Sequence, residues 1–501
     1  MLREIAYTVL GIIVLGFTSE WAISALDDPR EPPRLQSRVP LIGHLMGLLQ
    51  NGVRYYGVTS RRTDAEIYTI GIGPVKIYIC NGLHLIPLIQ KASKTLSFRP
   101  FLQISAKRFG GASAVTQELY TEAFADGFGE VMKTTLAPGP HLDEQNLRMG
   151  AEVINQLNKL TKMKEVCMLE WTRHTIVHAS SFAVYGDGHP YSSPEVKDAF
   201  WEWAEYLPMH LMGIDPLGKG YAARQRVFNA LFEYGKKVPA NAAKIVIDKS
   251  RFMMDAGLSF EETWKQEAAF ATALFGNSTP TAFWTFYEIY SRPNILEEIR
   301  HEIATKAVKG HDGVFRLDVA AVKTRCHLLL SIYQETQRTR HQHAPIRKVV
   351  EDTLLDGRYL LKKGNYLQMP GEPTNMSREL WGASAPEFDP YRFVPKEQKE
   401  KVAFEKTRFT AWGAAPHLCP ARQFASTEIL ILVALVVMRV NLLPLNETGR
   451  WERDMPSRNE LTTLPSPAKE LKVRVKTREA WSGTWELEMG TSMTRLSLAS
   501  G

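Results

Sequence analysis

Apolar residues run almost unbroken from Ile5 to Leu26, about the length a helix needs to cross a bilayer. Glu20 interrupts the run near its end, beside Trp21, where a membrane interface would accommodate both. No small-residue cleavage site follows a short core, so the stretch predicts a retained anchor, with a surface-lying or buried helix as the alternative. Asp27 to Pro40 then carry four prolines and no apolar period, the composition of a stiff linker. From Glu66 to Cys80, β-branched and aromatic residues alternate around Gly73-Pro74, which predicts a hairpin. Ser93 to Arg108 show little periodicity, and Val166 to Lys237 are helical in composition and rich in tryptophan and tyrosine. The longest helix is expected from Phe260 to Ser291, opened by a Ser259/Glu262 capping box; it would be about 48 Å long. Pro280 cannot bond the carbonyl of Gly276, so a bend is expected there. A second helix is predicted over Cys326 to Arg340, followed by strands that turn at Asp356-Gly357 and Lys363-Gly364. A strongly apolar helix runs from about Phe424 to Arg439, and the polar tail from Trp481 to Gly501 is expected to be poorly packed.

Composition narrows the function classes. Four cysteines among 501 residues (Cys80, Cys167, Cys326, Cys419) form no CxxC pair, which argues against a disulfide framework or a structural zinc site and for a reducing compartment. A net charge of +7 without a dense basic run argues against a nucleic-acid partner. Arg30, Arg34 and Arg38 follow the apolar run while only Arg3 precedes it, which places the bulk of the chain in the cytosol. The sequons at Asn277, Asn375 and Asn446 would then stay unmodified.

Two stretches carry candidate chemistry. Trp412 to Pro416 hold little bulk beyond the indole, so backbone there could approach a flat ligand. Cys419 follows, just ahead of a helix whose positive end favours a thiolate, with Pro420 suited to the first turn. Such a thiolate could be a haem ligand; a buried free cysteine is the other reading of Cys419 alone. In the long helix, Asn277, Ser278 and Thr279 stand beside the carbonyl freed by Pro280 and could hold water or dioxygen; they could equally cap a kink in a buried helix. Glu335 and Arg338, three apart, share a helix face, a spacing that alone says nothing.

Taken together these motifs resemble the cytochrome P450 superfamily. Trp412, His417 and Ala421 stand seven before, two before and two after Cys419, as the aromatic, basic and small positions of its haem loop do. Ala415 and Ala421 replace the usual glycines, and His417 replaces the arginine that commonly meets a haem propionate. The Trp-Gly opening, Cys-Pro-x-Arg, and the Asn277, Pro280, Phe283, Trp284 frame are most similar to the cholesterol 7α-hydroxylase and prostacyclin synthase branch and its fungal relatives. A Trp-x-x-x-Arg propionate contact is not found around Leu142 to Leu160.

The resemblance implies a mainly α fold with small β-sheets: an anchor at 1–26, a proline-rich hinge at 27–45 and a haem-thiolate domain at 46–501. It implies haem b with Cys419 as the iron's axial ligand, and Trp412, His417 and Arg347 as cofactor contacts. Asn277, Ser278 and Thr279 would be catalytic, the first two replacing the family's acid–threonine pair. Glu335, Arg338 and Arg392 would form a buried network supporting the haem loop, and the loop over the substrate pocket would fall within 93–108. Implied partners are dioxygen, a lipophilic small molecule, an NADPH-cytochrome P450 reductase and the endoplasmic reticulum membrane. The implied reaction is monooxygenation of a terpenoid, steroid-like or polyketide metabolite. The alternatives are a redox-neutral isomerase or cyclase of prostacyclin-synthase type, and a non-catalytic haem- or lipid-binding membrane protein.

Overall fold

The computed structural model describes residues 2–311, 313–395, 409–453, 455–458, 460–490 and 494–500. Its centre is a bundle of four helices, Pro140–Leu160, Met168–Tyr185, Ser278–Tyr290 and Arg422–Arg439, each packed on its neighbours. The last of these explains the arrangement. Ile429 to Met438 are wholly buried, because a helix that is apolar all round can only satisfy itself inside a core. Leu157, Ile176, Trp284 and Phe286 from the other three close around it.

The expected hairpin is present. Ile67–Ile72 pairs antiparallel with Val75–Cys80, and Gly73 takes a positive φ of 55° at the turn. Tyr366–Gln368 joins parallel to the second strand, followed by Ile346–Val349 and Leu96–Ser97, completing five strands. This register matters for the site, because Arg347 pairs with Leu367 in the interior of the sheet. Thr353–Leu355 and Tyr359–Leu361 form the smaller hairpin around Asp356-Gly357, both with positive φ.

Four expectations need correction. The long helix is two helices, Phe260–Gly276 and Ser278–Tyr290, broken at Asn277 rather than bent at Pro280. The physical cause is the anticipated one: the proline ring conflicts with the turn four residues earlier, and the strain is released there. The Ser259 cap is formed, its Oγ accepting from Glu262 N–H at 3.2 Å. Second, residues 93–108 are ordered into the strand Leu96–Ser97 and the helix Pro100–Arg108.

Third, the N-terminal stretch does fold as a helix, Leu2–Ala25. Among the described residues, however, no helix is long and apolar enough to cross a membrane. Thr18, Ser19, Glu20 and Ser24 dilute its second half. That half also leans on the body: Gly16 sits so close to Pro40 that a Cβ would meet its ring at 2.6 Å, and Ser37 reaches Glu20 at 3.4 Å. The proline-rich segment beyond lies along the first hairpin, with Leu35 N–H donating to Thr69 O and Lys76 pairing with Asp27 and Glu31.

Fourth, the polar tail is packed. Thr484–Glu488 runs parallel to Val314–Asp318, and Trp485, Leu496 and Leu498 enter the main core. Gln423 clasps Leu496 by both its N–H (2.9 Å) and its C=O (3.2 Å), while Trp412 N–H donates to Ser500 Oγ at 3.3 Å. Alternate burial of Leu496, Leu498 and Ser500 overrides a composition that reads as solvent-exposed. Residues 491–493 and 501 of this tail lie outside the described residues.

Candidate active site

The cysteine loop is a tight antiparallel ribbon, Gly413–Ala414 against His417–Leu418. Gly413 has φ 90°, and a Cβ on it would stand 3.0 Å from His417 O, so the close turn requires glycine. Cys419 N–H donates to Trp412 O at 2.8 Å, and its own carbonyl accepts from the Arg422 guanidinium at 3.1 Å. The helix starts at Arg422 with Ala421 as its cap, so Pro420 precedes the first turn rather than lying in it. Burial pushes the Cys419 thiol up, against the lowering effect of the Ala421 N–H and Arg422. A thiolate here therefore needs more positive charge than the helix end supplies, which a bound metal ion would provide.

Cys419 opens into a cavity of about 220 Å³ between the loop and the broken helix pair. Ala273, Ala411, Gly413, Ala421 and Ala425 make its walls flat, and Gln337 and His343 contribute polar edges. Arg347 stands behind the loop, 1% exposed. Its Nη2 donates to Ala414 O at 2.7 Å and Ala415 O at 3.3 Å, and its Nη1 to Ile346 O at 2.9 Å. Its Nε has no partner, and burial alone pulls its pKa down to about 10. His417 is pushed down to about 4, first by burial and then by the positive charges of Arg347 and Arg99. Arg99 is itself held by Asp126 at 2.5 Å.

These groups fit a haem. The cavity has a soft ligand on one wall and small residues against which a flat ring could lie, while Arg347, a buried cation with an unmet N–H, stands behind the loop and, like His417 and Arg99, is not on the lining. Arg99 was not legible as part of this set. Its only signal was a cation in a stretch without periodicity.

Across the cavity, the helix break places Asn277 and Ser278 on the lining. Asn277 Oδ1 is committed, accepting Thr463 N–H at 2.8 Å, and its carbonyl accepts Thr281 Oγ1–H at 2.7 Å. Thr279 is not on this lining; its hydroxyl is buried without a partner. Ser278 has a neighbour that sequence reasoning missed. Glu428, wholly buried on the helix after Cys419, accepts from Ser180 Oγ at 2.5 Å. Its other oxygen makes no well-formed hydrogen bond, although the Ser278 hydroxyl stands close enough to act on it. Burial raises this carboxyl to about 8, and the Ser180 and Ser278 hydroxyls only partly oppose that. The signal was present: one carboxylate in an otherwise apolar helix face.

Glu335, Arg338 and Arg392 are hydrogen-bonded together. Glu335 takes both Arg338 Nε and Nη2 at 2.7 Å, and Arg392 Nε at 3.1 and 3.2 Å. Arg338 spends its remaining donors on the carbonyls of Asn375, Ala385 and Glu387. Arg392 does likewise with Trp381 and Ser384. Trp381 and Phe393 then pack on Phe409 at the root of the cysteine loop.

A search of protein-family models matches the cytochrome P450 family over residues 195–473. Cytochrome P450 monooxygenase nodJ of Hypoxylon pulicicidum is 30% identical over 98% of both chains. A cytochrome P450 monooxygenase of Gibberella zeae is 25% identical over 96% of this chain and 94% of its own. Mouse cytochrome P450 7B1 is 22% identical over 86% of this chain and 90% of its own. Among solved structures, a retinoic acid-bound cyanobacterial P450 (CYP120A1) superposes with a TM-score of 0.70 at 15% identity, over 89% of this chain and 100% of its own. With its cysteine loop, support network and broken helix in one frame, the chain belongs to the cytochrome P450 family.

Proposed function

We propose that this P450 is a haem-thiolate monooxygenase oxidising a lipophilic secondary metabolite of terpenoid, steroid-like or polyketide type. The observation that carries the reading is a cavity with Cys419 on one wall and, behind its loop, a buried arginine lacking its anion. Cys419 would ligate the iron, Arg347 with His417 and Arg99 would hold the propionates, and Trp412 would flank the ring. A bound haem thiolate supplies oxygen activation and C–H oxidation once dioxygen and electrons arrive.

The chain's own part is to exclude water and hold a proton. Leu274, Phe424, Ile429 and Leu464 make the cavity largely apolar. Glu428, neutral at pH 7, keeps a proton beside Ser278, whose hydroxyl presents hydrogen-bond capacity to the cavity. Asn277, tied to Thr463, holds the break open. Glu428 lies on the helix after Cys419 and not on the distal helix, where Asn277 fills the position of the family's acid, but it brings a carboxyl to Ser278. This favours oxygenation over redox-neutral rearrangement, which needs no proton delivery.

Electrons would come from an NADPH-cytochrome P450 reductase. The helix Leu2–Ala25 exposes Tyr7, Leu10, Ile12, Leu15 and Trp21, an apolar surface suited to attachment at the endoplasmic reticulum membrane. The test uses the full chain with reductase and the precursor that accumulates when the gene is deleted in its host. A product one oxygen heavier, formed only with NADPH and lost in Cys419→Ala, supports the reading. A product of unchanged mass, formed without NADPH, overturns it.

A further inference from the structure

A second cleft, of about 400 Å³, lies at the other end of the helix that begins beside Cys419. Arg422–Arg439 spans about 26 Å, so this cleft is remote from the cavity above. Its lining includes Thr161, Lys162, Arg439, Ser482, Thr484 and Trp485. Arg439 is 4% exposed, yet its Nε and Nη1 have no hydrogen-bond partner. No carboxylate acts on it; burial alone lowers its pKa.

Of the other buried arginines, Arg347 also has an unmet Nε, whereas Arg300 and Arg338 have none. Arg300 spends its donors on Val437 O, Asn441 Oδ1 and Glu297, and Arg338 is paired throughout. A guanidinium withdrawn from water without acceptors is unfavourable. The adjacent helix ends favour a cation here, but they give Nε and Nη1 no acceptor. The carbonyl of Thr161, which lines the cleft, already accepts from Thr477 Oγ1 at 3.2 Å. What is missing is an oxyanion. Lys162 is exposed on the rim, and the cleft is larger than a lone ion requires.

We propose that this cleft is an anion site that binds a phosphate group, either free or as a phosphomonoester headgroup. Arg439 supplies N–H donors from Nε and Nη1, and Lys162 closes from the rim. Nε and Nη1 lie on different edges of the guanidinium, so each offers a single charge-assisted bond to an oxyanion.

The test uses the full-length, haem-loaded protein in chloride buffer at constant ionic strength. Inorganic phosphate is titrated by calorimetry and thermal melting, and phosphatidylcholine vesicles with and without phosphatidic acid are followed by co-sedimentation. Saturable one-site binding of phosphate, weakened about tenfold or more by Arg439→Met and less by Lys162→Met, supports the site. Retention on phosphatidic acid vesicles alone, lost in the same variants, supports it with a lipid ester as ligand. In phosphate-free buffer Arg439→Met should melt no lower than wild type, because an unpaired buried charge has been removed. A lower melting temperature there would mean a purely structural cation and overturns the proposal. So does equal binding by wild type and Arg439→Met, or binding of neither probe.

Discussion

Arg338 and Arg347 are neighbours in sequence, both buried, and chemically opposite in setting. Arg338 has a bidentate carboxylate and three carbonyls, so the fold closes that charge by itself. Arg347 has carbonyls only, an unmet Nε and no acid. The first is finished by the polypeptide; the second waits for something the polypeptide does not contain. A buried ion is evidence for a bound group only after its partners have been counted, and the two arginines differ in that count alone.

That contrast can be broken most sharply at Glu335. Glu335→Ala leaves two buried guanidinium groups without their carboxylate and should cost about 3–5 kcal/mol, measured by urea unfolding of the full chain. A change under about 1 kcal/mol would show that the network is not closed as described.

Next comes Glu428, whose effect is set by pH. Its folded value of about 8 lies above the ordinary 4.5, so the native chain holds a proton that the unfolded chain releases between those values. Stability should therefore fall as pH rises through that window, by up to a few kcal/mol, and then level off. Glu428→Gln should flatten this dependence while keeping a donor for Ser278; an unchanged slope would count against a neutral native carboxyl.

Arg347→Met should leave the stability of the haem-free chain nearly unchanged or raise it, yet speed haem loss about tenfold. Transfer of haem to an apoprotein acceptor would measure this. Destabilisation as large as that of Glu335→Ala would erase the distinction between the two arginines. The smallest effect belongs to His417→Arg. A permanent cation in place of an imidazole held neutral by burial should slow the same haem loss by about two- to fivefold.

Much of this was readable in the chain, for physical reasons. The cysteine loop depends on local spacing, and local spacing survives into structure: Trp412, His417 and Cys419 lie where a short ribbon puts them. The helix break was legible as a consequence of Pro280, but not its position at Asn277, because the release point of strain depends on what the neighbouring Thr463 backbone offers. Glu335, Arg338 and Arg392 were readable only through resemblance, since an i, i+3 pair is common and its third member is distant. Glu428 and Arg99 were missed because partners from three different segments define them. The tail was misread because two leucines spaced by one residue carry little average hydropathy and still fill a groove.

That tail has a practical consequence. Ser500 touches the backbone of Trp412, and Leu496 is gripped by Gln423, one turn beyond Cys419. Force or bulk applied to residues 496–500 is thus transmitted straight to the ribbon that presents the sulfur. Affinity tags and fusion partners are safer at the N-terminal helix, and a tag joined next to Ser500 should lower cofactor occupancy before it lowers yield.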